Sequence, residues 1–428
     1  MTRTVKLLPI MLILFCMCGI TVAETTVDVS AQMRARNEIS SKAISGDKST
    51  QEATYLRTRV NVKAAKENVS AFVQFQDSRM LGAGAQSGGL YDAHNVDLHQ
   101  AYVTIDHLWN KGIGLKAGRF EVILGNQRVF GSVGWHNVGR SWEGLQAWYD
   151  CKYAMTSAYW LKKAERNNTE ANTDYDIIGF SSKLKSMNLE LLFFIEQDAF
   201  KPTMVWFDDD DLMTSNSVYK NLERFNLGMY YQRDYQQFDF DLNAVYQFGK
   251  KQNWVTHETL GYDSEEIDLA AMMFTFEAGY NLEGDYKPRF AFGIDYTTGD
   301  DSETLDKVET YNNLFYTGHK FRGYMDYFLG SQTNGLMDIM LRGRVSPVEG
   351  WTIKGDLHFF SRTQDYTDFE GNETKSVGTE FDLTVSTKRV AGVGLSSGLS
   401  FFMPSEAYAG TTETNTGLWF YTQAVANF

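Results

Sequence analysis

Cysteine is scarce. The chain of 428 residues holds three, and Cys16 and Cys18 fall within its first 23 residues. Cys151 is left alone, so a disulfide framework is excluded. No recognisable spacing sets a base beside Cys151, and it reads as a free thiol at a turn rather than a nucleophile. Only 5 prolines occur, and no Pro/Ser-rich linker divides the chain. Beyond residue 23 there is no run of ~18 apolar residues, which excludes spanning helices. Basic charge is in deficit, with 40 Lys and Arg against 54 Asp and Glu for a net of -14. A nucleic-acid binder carries the opposite balance. No zinc-type His-Glu-x-x-His occurs, the seven histidines are scattered, and no Ser/His/Asp set can be assembled from spacing. Nothing implies ATP, a redox cofactor or a metal.

The first 23 residues have the layout of a targeting segment. Arg3 and Lys6 supply a positive start, Leu7 to Ile20 are apolar almost throughout, and Thr21-Val22-Ala23 resembles a small-residue cleavage site. The apolar run falls short of the ~20 residues a spanning helix needs. Residues 1–23 are therefore expected to be a signal peptide and 24–428 a single transmembrane β-barrel. No lipoprotein cleavage box precedes Cys16 or Cys18, so no lipid anchor is expected. The mature chain keeps 38 basic residues against 54 acidic ones, a net of -16.

What the chain has in abundance is period-2 alternation. Val27, Val29, Ala31, Met33 and Ala35 alternate with Asp28, Ser30, Gln32, Arg34 and Arg36. Phe238, Phe240, Leu242, Ala244, Tyr246 and Phe248 alternate with Asp239, Asp241, Asn243 and Gln247. Trp351, Ile353, Leu357 and Phe359 alternate with Thr352, Lys354, Asp356 and His358. Such strands have one oily and one wet face, and helical spacing fits none of them.

Eighteen strands are expected, near 25–39, 51–65, 68–78, 97–109, 111–123, 141–151, 152–163, 174–185, 187–198, 223–234, 236–248, 266–281, 286–298, 335–347, 349–362, 378–389, 391–403 and 416–428. Their connections alternate short and long. The long polar ones fall near 40–50, 79–96, 124–140, 164–173, 199–222, 249–265, 299–334, 363–377 and 404–415. Eight short turns and nine long loops are what eighteen strands require when both termini lie in the periplasm. Lipid offers no hydrogen-bond partner to an open sheet edge, so the first and last strands must pair. The last strand ends on Phe428, as does the terminal segment by which outer-membrane barrels are recognised for assembly.

Three stretches resemble the alginate export family of outer-membrane barrels. The first is Gly118-Arg119-Phe120-Glu121 with Gly125-Asn126-Gln127-Arg128, Trp135, Asn137 and Arg140-Ser141-Trp142-Glu143-Gly144. The second is Gly299-Asp300-Asp301, Asn313-Leu314-Phe315 and His319-Lys320-Phe321-Arg322-Gly323-Tyr324-Met325-Asp326-Tyr327-Phe328. The third is Glu380-Phe381-Asp382-Leu383 with Ser400-Phe401-Phe402-Met403-Pro404. The resemblance implies an eighteen-stranded monomeric barrel and, in the exporter, a pore selective for an anionic polysaccharide. The strong acidity of this chain, with runs such as Asp208-Asp209-Asp210-Asp211, departs from that exporter. That run is either a solvated loop or a calcium ligand set of hard oxygens.

Arginines recur two apart on the polar faces: Arg34/Arg36, Arg57/Arg59 and Arg342/Arg344. Parity points them into the lumen, together with Arg119 and Lys354. Their planar forks suit carboxylates, so they are candidates for an anion track. Glu38, Glu121, Asp338, Asp356, Glu380 and Asp382 share that parity, which leaves open a neutralised charge ladder. The loop 124–140, with Arg128, Trp135, His136 and Arg140, is either a constriction folded inward or an external hairpin. The stretch His319–Phe328 is too patterned for a plain solvated loop and reads as a short helix or hairpin over the pore mouth.

The expectation is an outer-membrane porin for passive diffusion of small anionic solutes or oligosaccharides. The alternative is a dedicated exporter of an anionic polysaccharide such as alginate. Expected partners are outer-membrane lipid and lipopolysaccharide, the barrel-assembly machinery and the solute, with no nucleic acid.

Overall fold

The computed structural model describes residues 25–82, 96–109, 112–165, 174–199, 222–257, 261–301, 303–304 and 306–428, with the backbone alone over 253–257 and 261–265. The segment 1–23 and the run Asp208–Asp211 lie outside the described residues. Eighteen strands make the wall: β1 Thr26–Ser41, β2 Gln51–Lys66, β3 Val69–Met80, β4 Asp97–Ile105, β5 Ile113–Phe120, β6 Trp142–Asp150, β7 Ala154–Ala164, β8 Tyr175–Leu184, β9 Leu189–Asp198, β10 Leu222–Tyr235, β11 Phe238–His257, β12 Gly261–Asn281, β13 Arg289–Thr297, β14 Leu336–Val345, β15 Trp351–Thr367, β16 Glu373–Val390, β17 Val393–Pro404 and β18 Gly417–Asn427. Consecutive strands pair antiparallel, and β1 pairs with β18 from Gln32↔Asn427 to Ser41↔Leu418. Phe428 exchanges two further backbone hydrogen bonds with Ala31, at 3.1 and 2.9 Å. The barrel is closed, which removes the edges a membrane would leave unsatisfied. Lys307–Val308 adds a two-residue parallel pairing to β12.

Alternation explains the outer wall. Val27, Val29, Met33, Phe290, Phe292 and Leu341 point outward and are exposed, as suits a lipid-facing band. Trp109, Tyr153 and Tyr286, in or beside the short turns, are also exposed and sit where an interfacial aromatic girdle belongs. Not every strand alternates. In β9 the run Leu191-Leu192-Phe193-Phe194-Ile195 is apolar on both parities, and its inner residues Leu192 and Phe194 are buried. A strand that is oily on both faces is covered on both faces. Here the inner cover is folded loop.

Several expected boundaries move. The loop expected at 249–265 is instead a long hairpin, because β11 runs to His257 and β12 starts at Gly261. Its polar sequence reads as loop, yet Lys250 and Glu266 pair across it at 2.5 Å. The loop expected at 363–377 shrinks to 368–372, a turn in which the Asp368 carboxylate accepts from the amides of Glu370 and Asn372 at 2.9 and 2.8 Å. The stretch around His319 holds only a single 3-10 turn, Gly318–Lys320. Gly394-Leu395-Ser396-Ser397-Gly398 has the letters of a hydrolase nucleophile elbow but lies in mid-strand in β17. An elbow requires a sharp strand-to-helix turn.

Candidate channel interior

Among the described residues, two outer loops fold back into the barrel. The third, 121–141, joins β5 to β6, and the seventh, 298–335, joins β13 to β14. Each is held by wall groups of opposite chemistry.

The third loop turns carbonyls toward β1 and β2. Arg34 donates to the Gly134 and His136 carbonyls at 2.8 and 3.2 Å. Arg36 donates to the Trp135 carbonyl at 2.6 Å, lies 4.0 Å from the Trp135 ring centre and pairs with Glu38 at 2.6 Å. Arg57 donates to the Gly134 and His136 carbonyls, both at 3.2 Å. Arg59 reaches the Val138 carbonyl at 3.3 Å and Glu121 at 3.5 Å. A guanidinium has five donors and no acceptor, so it satisfies several loop carbonyls at once. Farther along, the Gly125 amide donates to Glu190 on β9 and the Asn126 amide group to Asp241 on β11, both at 2.9 Å. The loop therefore crosses the lumen.

The seventh loop turns amides toward β16. The Met325 amide donates to Glu380 at 2.8 Å and the Tyr324 amide to Asp382 at 3.2 Å. Gly323 makes this approach possible. Its φ is +77°, and a Cβ there would meet the Glu380 carboxyl at 2.5 Å. Behind these carboxylates His358 bonds Asp338 at 2.7 Å and lies 3.6 Å from Asp382.

Asp295 on β13 ties both loops to one point. Arg128 of the third loop meets its carboxylate at 2.5 Å, and Arg322 of the seventh at 3.3 Å. All three side chains are buried. Arg128 also lies over the Phe321 ring at 4.0 Å, and Arg322 donates to Asn313 at 3.0 Å. Beside this triad lies an apolar cluster: Val122, Leu124, Val129, Phe130, Tyr311 and Phe315 of the loops pack with Trp142, Tyr159, Leu161, Ile177 and Phe194 of the wall. Each such Phe contributes roughly 1.5–3 kcal/mol when fully buried.

Toward the short turns a cavity of about 680 Å³ remains open. Arg289 pairs there with Asp239 and Glu277 at 2.5 and 2.7 Å, and Arg342 with Glu277 at 2.7 Å. Arg344 and Lys354 line the same cavity and face each other directly across β14 and β15. Arg344 reaches only the Asn281 amide oxygen, at 3.4 Å. Among the described residues neither forms a direct ion pair, and the Arg344 charge acts on Asp239 across the same cavity.

The residues singled out in the sequence thus fall into separate groups. Arg34, Arg36, Arg57 and Arg59 lie inside, under the third loop. Arg342, Arg344 and Lys354 line the cavity. Arg119 is a correction. It shares the outward face of β5 with Leu115, which is exposed, and it pairs with Glu143 on β6 at 3.0 Å. Parity counted along β5 from its apolar residues Ile113, Leu115 and Ala117 gives the same answer. Arg128 is committed to Asp295. Trp135 stacks on His319 with ring centres 4.3 Å apart, and Arg140 donates to the Tyr316 carbonyl at 3.3 Å. His136 accepts the Val138 amide at Nδ1, 3.2 Å away. Burial, with Arg36 and Arg34 nearby, holds its imidazole below the usual range. Asp295, Arg322, Arg289 and Glu277 were not singled out. For Asp295 the available signal was a carboxylate in mid-strand on the inner parity.

Comparisons agree with this architecture. The family model described as alginate export matches residues 25–421. No curated protein is similar to the chain. Among solved structures, OccAB1 of Acinetobacter baumannii has a TM-score of 0.60 at 10% identity, over 94% of this chain and 97% of that one. OccK8 (OprE) of Pseudomonas aeruginosa has a TM-score of 0.57 at 11% identity, over 94% and 98%. OccK2 (OpdF) of Pseudomonas aeruginosa, in complex with glucuronate, has a TM-score of 0.55 at 10% identity, over 94% and 98%. At such identity the likeness speaks for the fold, that of an outer-membrane porin. The chain belongs to the alginate export family, and its barrel is an outer-membrane channel.

Proposed function

We propose that this channel passes small anionic solutes, short oligosaccharides included, by passive diffusion down their gradient. The observation that carries the reading is the pair Arg344 and Lys354. Two like charges directly opposite on neighbouring strands repel, and a passing anion relieves them. A guanidinium binds a carboxylate in a bidentate fork, and each site is weak enough to release. Glucuronate, the ligand of one structural neighbour, is a carboxylate of a size such a cavity accommodates. The buried arginines of β1 and β2 act on conduction indirectly, by holding the third loop. An extended polysaccharide needs a continuous track, and the folded loops favour small solutes over it.

In this reading residues 1–23 are removed as a signal peptide, and 24–428 form one barrel working as a monomer among outer-membrane lipid and lipopolysaccharide. The barrel-assembly machinery inserts it, and it turns over no substrate. The test is the reversal potential of the purified protein in a KCl gradient across a planar bilayer. Anion preference that falls in Arg344→Ala/Lys354→Ala supports the reading. Cation preference, or anion preference indifferent to the double substitution, overturns it.

A further inference from the structure

Each of the eighteen strands carries at least one buried interior side chain, from Arg36 on β1 and Ser78 on β3 through Phe194 on β9 and Asp295 on β13 to Trp419 on β18. The loops meet the wall on all sides, with Asn137 against Ser78 on β3, Phe130 against Phe194 on β9 and Trp135 against Trp419 on β18. The two loops are also joined to each other. The Gly131 amide donates to the Phe315 carbonyl at 2.9 Å, the Phe315 amide to the Val129 carbonyl at 3.1 Å, and the Thr317 amide to the Gln127 carbonyl at 3.0 Å. This is the pattern of a short parallel ladder, with Phe130 bridged to Phe315. The Thr317 hydroxyl bonds the Gln127 side chain at 2.8 Å, Lys320 donates to the Asn126 carbonyl at 3.0 Å, and Trp135 stacks on His319.

We propose that the third and seventh loops form one gate body, which leaves the wall and returns to it as a unit. Between the loops lie backbone ladder bonds and a shared aromatic core. Between loops and wall, apart from the apolar packing and the Lys307–Val308 ladder to β12 at the stem of the seventh loop, the bonds run chiefly through side-chain anchors: the arginines of β1 and β2, Ser78, which bonds the Asn137 carbonyl, Glu190, Asp241, Asp295, Glu380 and Asp382. A packed interface has discrete arrangements rather than a continuum. Asp295 accepts from both loops, so losing it loosens both anchorages in one step. The proposal rests on the barrel being a channel and not on its ion selectivity.

Two measurements test it. The first is hydrogen exchange on the folded protein and on Asp295→Ala. The Gly125 amide, held by Glu190, and the Met325 amide, held by Glu380, report the two loops separately. A single gate body predicts that both accelerate by the same factor, at least about tenfold, while the ladder amides of Gly131 and Phe315 stay more protected than either. Acceleration of one anchor without the other overturns the proposal. The second uses cysteine pairs in a Cys151→Ser background, read as single-channel gating before and after reduction. Oxidised Gln127→Cys/Thr317→Cys, inside the body, gates like its reduced form. Oxidised Ser78→Cys/Asn137→Cys, which staples the third loop to β3, loses all gating. Residual gating in the stapled protein, or its loss in the first pair, overturns the proposal. If a pair fails to assemble, the exchange result decides alone.

Discussion

Asp295→Ala strips two buried guanidiniums of their shared counter-charge. Asp295 is 1% exposed, Arg128 5% and Arg322 2%, so water does not replace the carboxylate while the loops stay packed. Removing one partner of a buried pair costs about 3–5 kcal/mol. Arg322 keeps its bond to Asn313, and Arg128 keeps the face of Phe321, which argues for the low end, about 3 kcal/mol. At about 1.4 kcal/mol per tenfold, the closed-to-open equilibrium of the loops shifts by roughly two powers of ten. The barrel wall should be indifferent, because its ladder bonds are untouched. The assay is the open fraction in single-channel recordings beside the thermal melt of the barrel. A further variant separates lost charge balance from lost packing. Asp295→Leu/Arg128→Met/Arg322→Met removes the whole triad, and apolar replacement of a buried ion cluster is often neutral or stabilising, so this variant should close again. An Asp295→Ala channel with the wild-type open fraction, or a triple variant more open than the single one, would show that Asp295 does not hold the loops closed by balancing the two arginines.

Three further outcomes follow from the geometry. Arg119→Ala should leave the reversal potential unchanged and cost less than about 1 kcal/mol, since an exposed outward pair is worth little; a shift in selectivity would return Arg119 to the lumen. Gly323→Ala should free the Tyr324 and Met325 amides to exchange faster, because alanine strains at φ +77° and its Cβ displaces Glu380; unchanged protection there contradicts the approach described. The open fraction should rise as pH falls from about 7.5 to about 5.5. His136 resists protonation under the packed loop, whereas a released imidazole titrates near about 6.5, so acid favours release. That pH dependence should weaken in His136→Gln and would need another source if it persisted.

The wall was legible because a membrane barrel writes its two faces into sequence at a period of two. Phe238 to Phe248 is enough to define β11, and the alternation of short and long connections orders the strands without exact boundaries. Boundaries failed where strands rise above the apolar band. Lys250 to Gln252 look like loop because nothing oily marks them, yet cross-strand pairing continues. The interior was harder to read. Parity tells which side of the sheet Arg57 is on, but not that a loop from 77 residues away would supply the Gly134 carbonyl to it. Nor does it reveal that Arg128 and Arg322, distant in sequence, share Asp295. Those contacts are set by how two long loops pack together, and local pattern carries little of that. The legible hint was β9, whose run Leu191–Ile195 is apolar on the face that a water-filled lumen would have kept polar.

This barrel is a channel whose lumen is occupied by two inward loops. The most direct test is single-channel recording of the purified protein in planar bilayers, alongside a variant in which residues 311–329 are replaced by a short glycine-serine linker. Gated steps are expected from the native chain and larger, nearly ungated steps from the trimmed one. Identical conductance from the two, or none from either in a barrel shown to be folded, would contradict it.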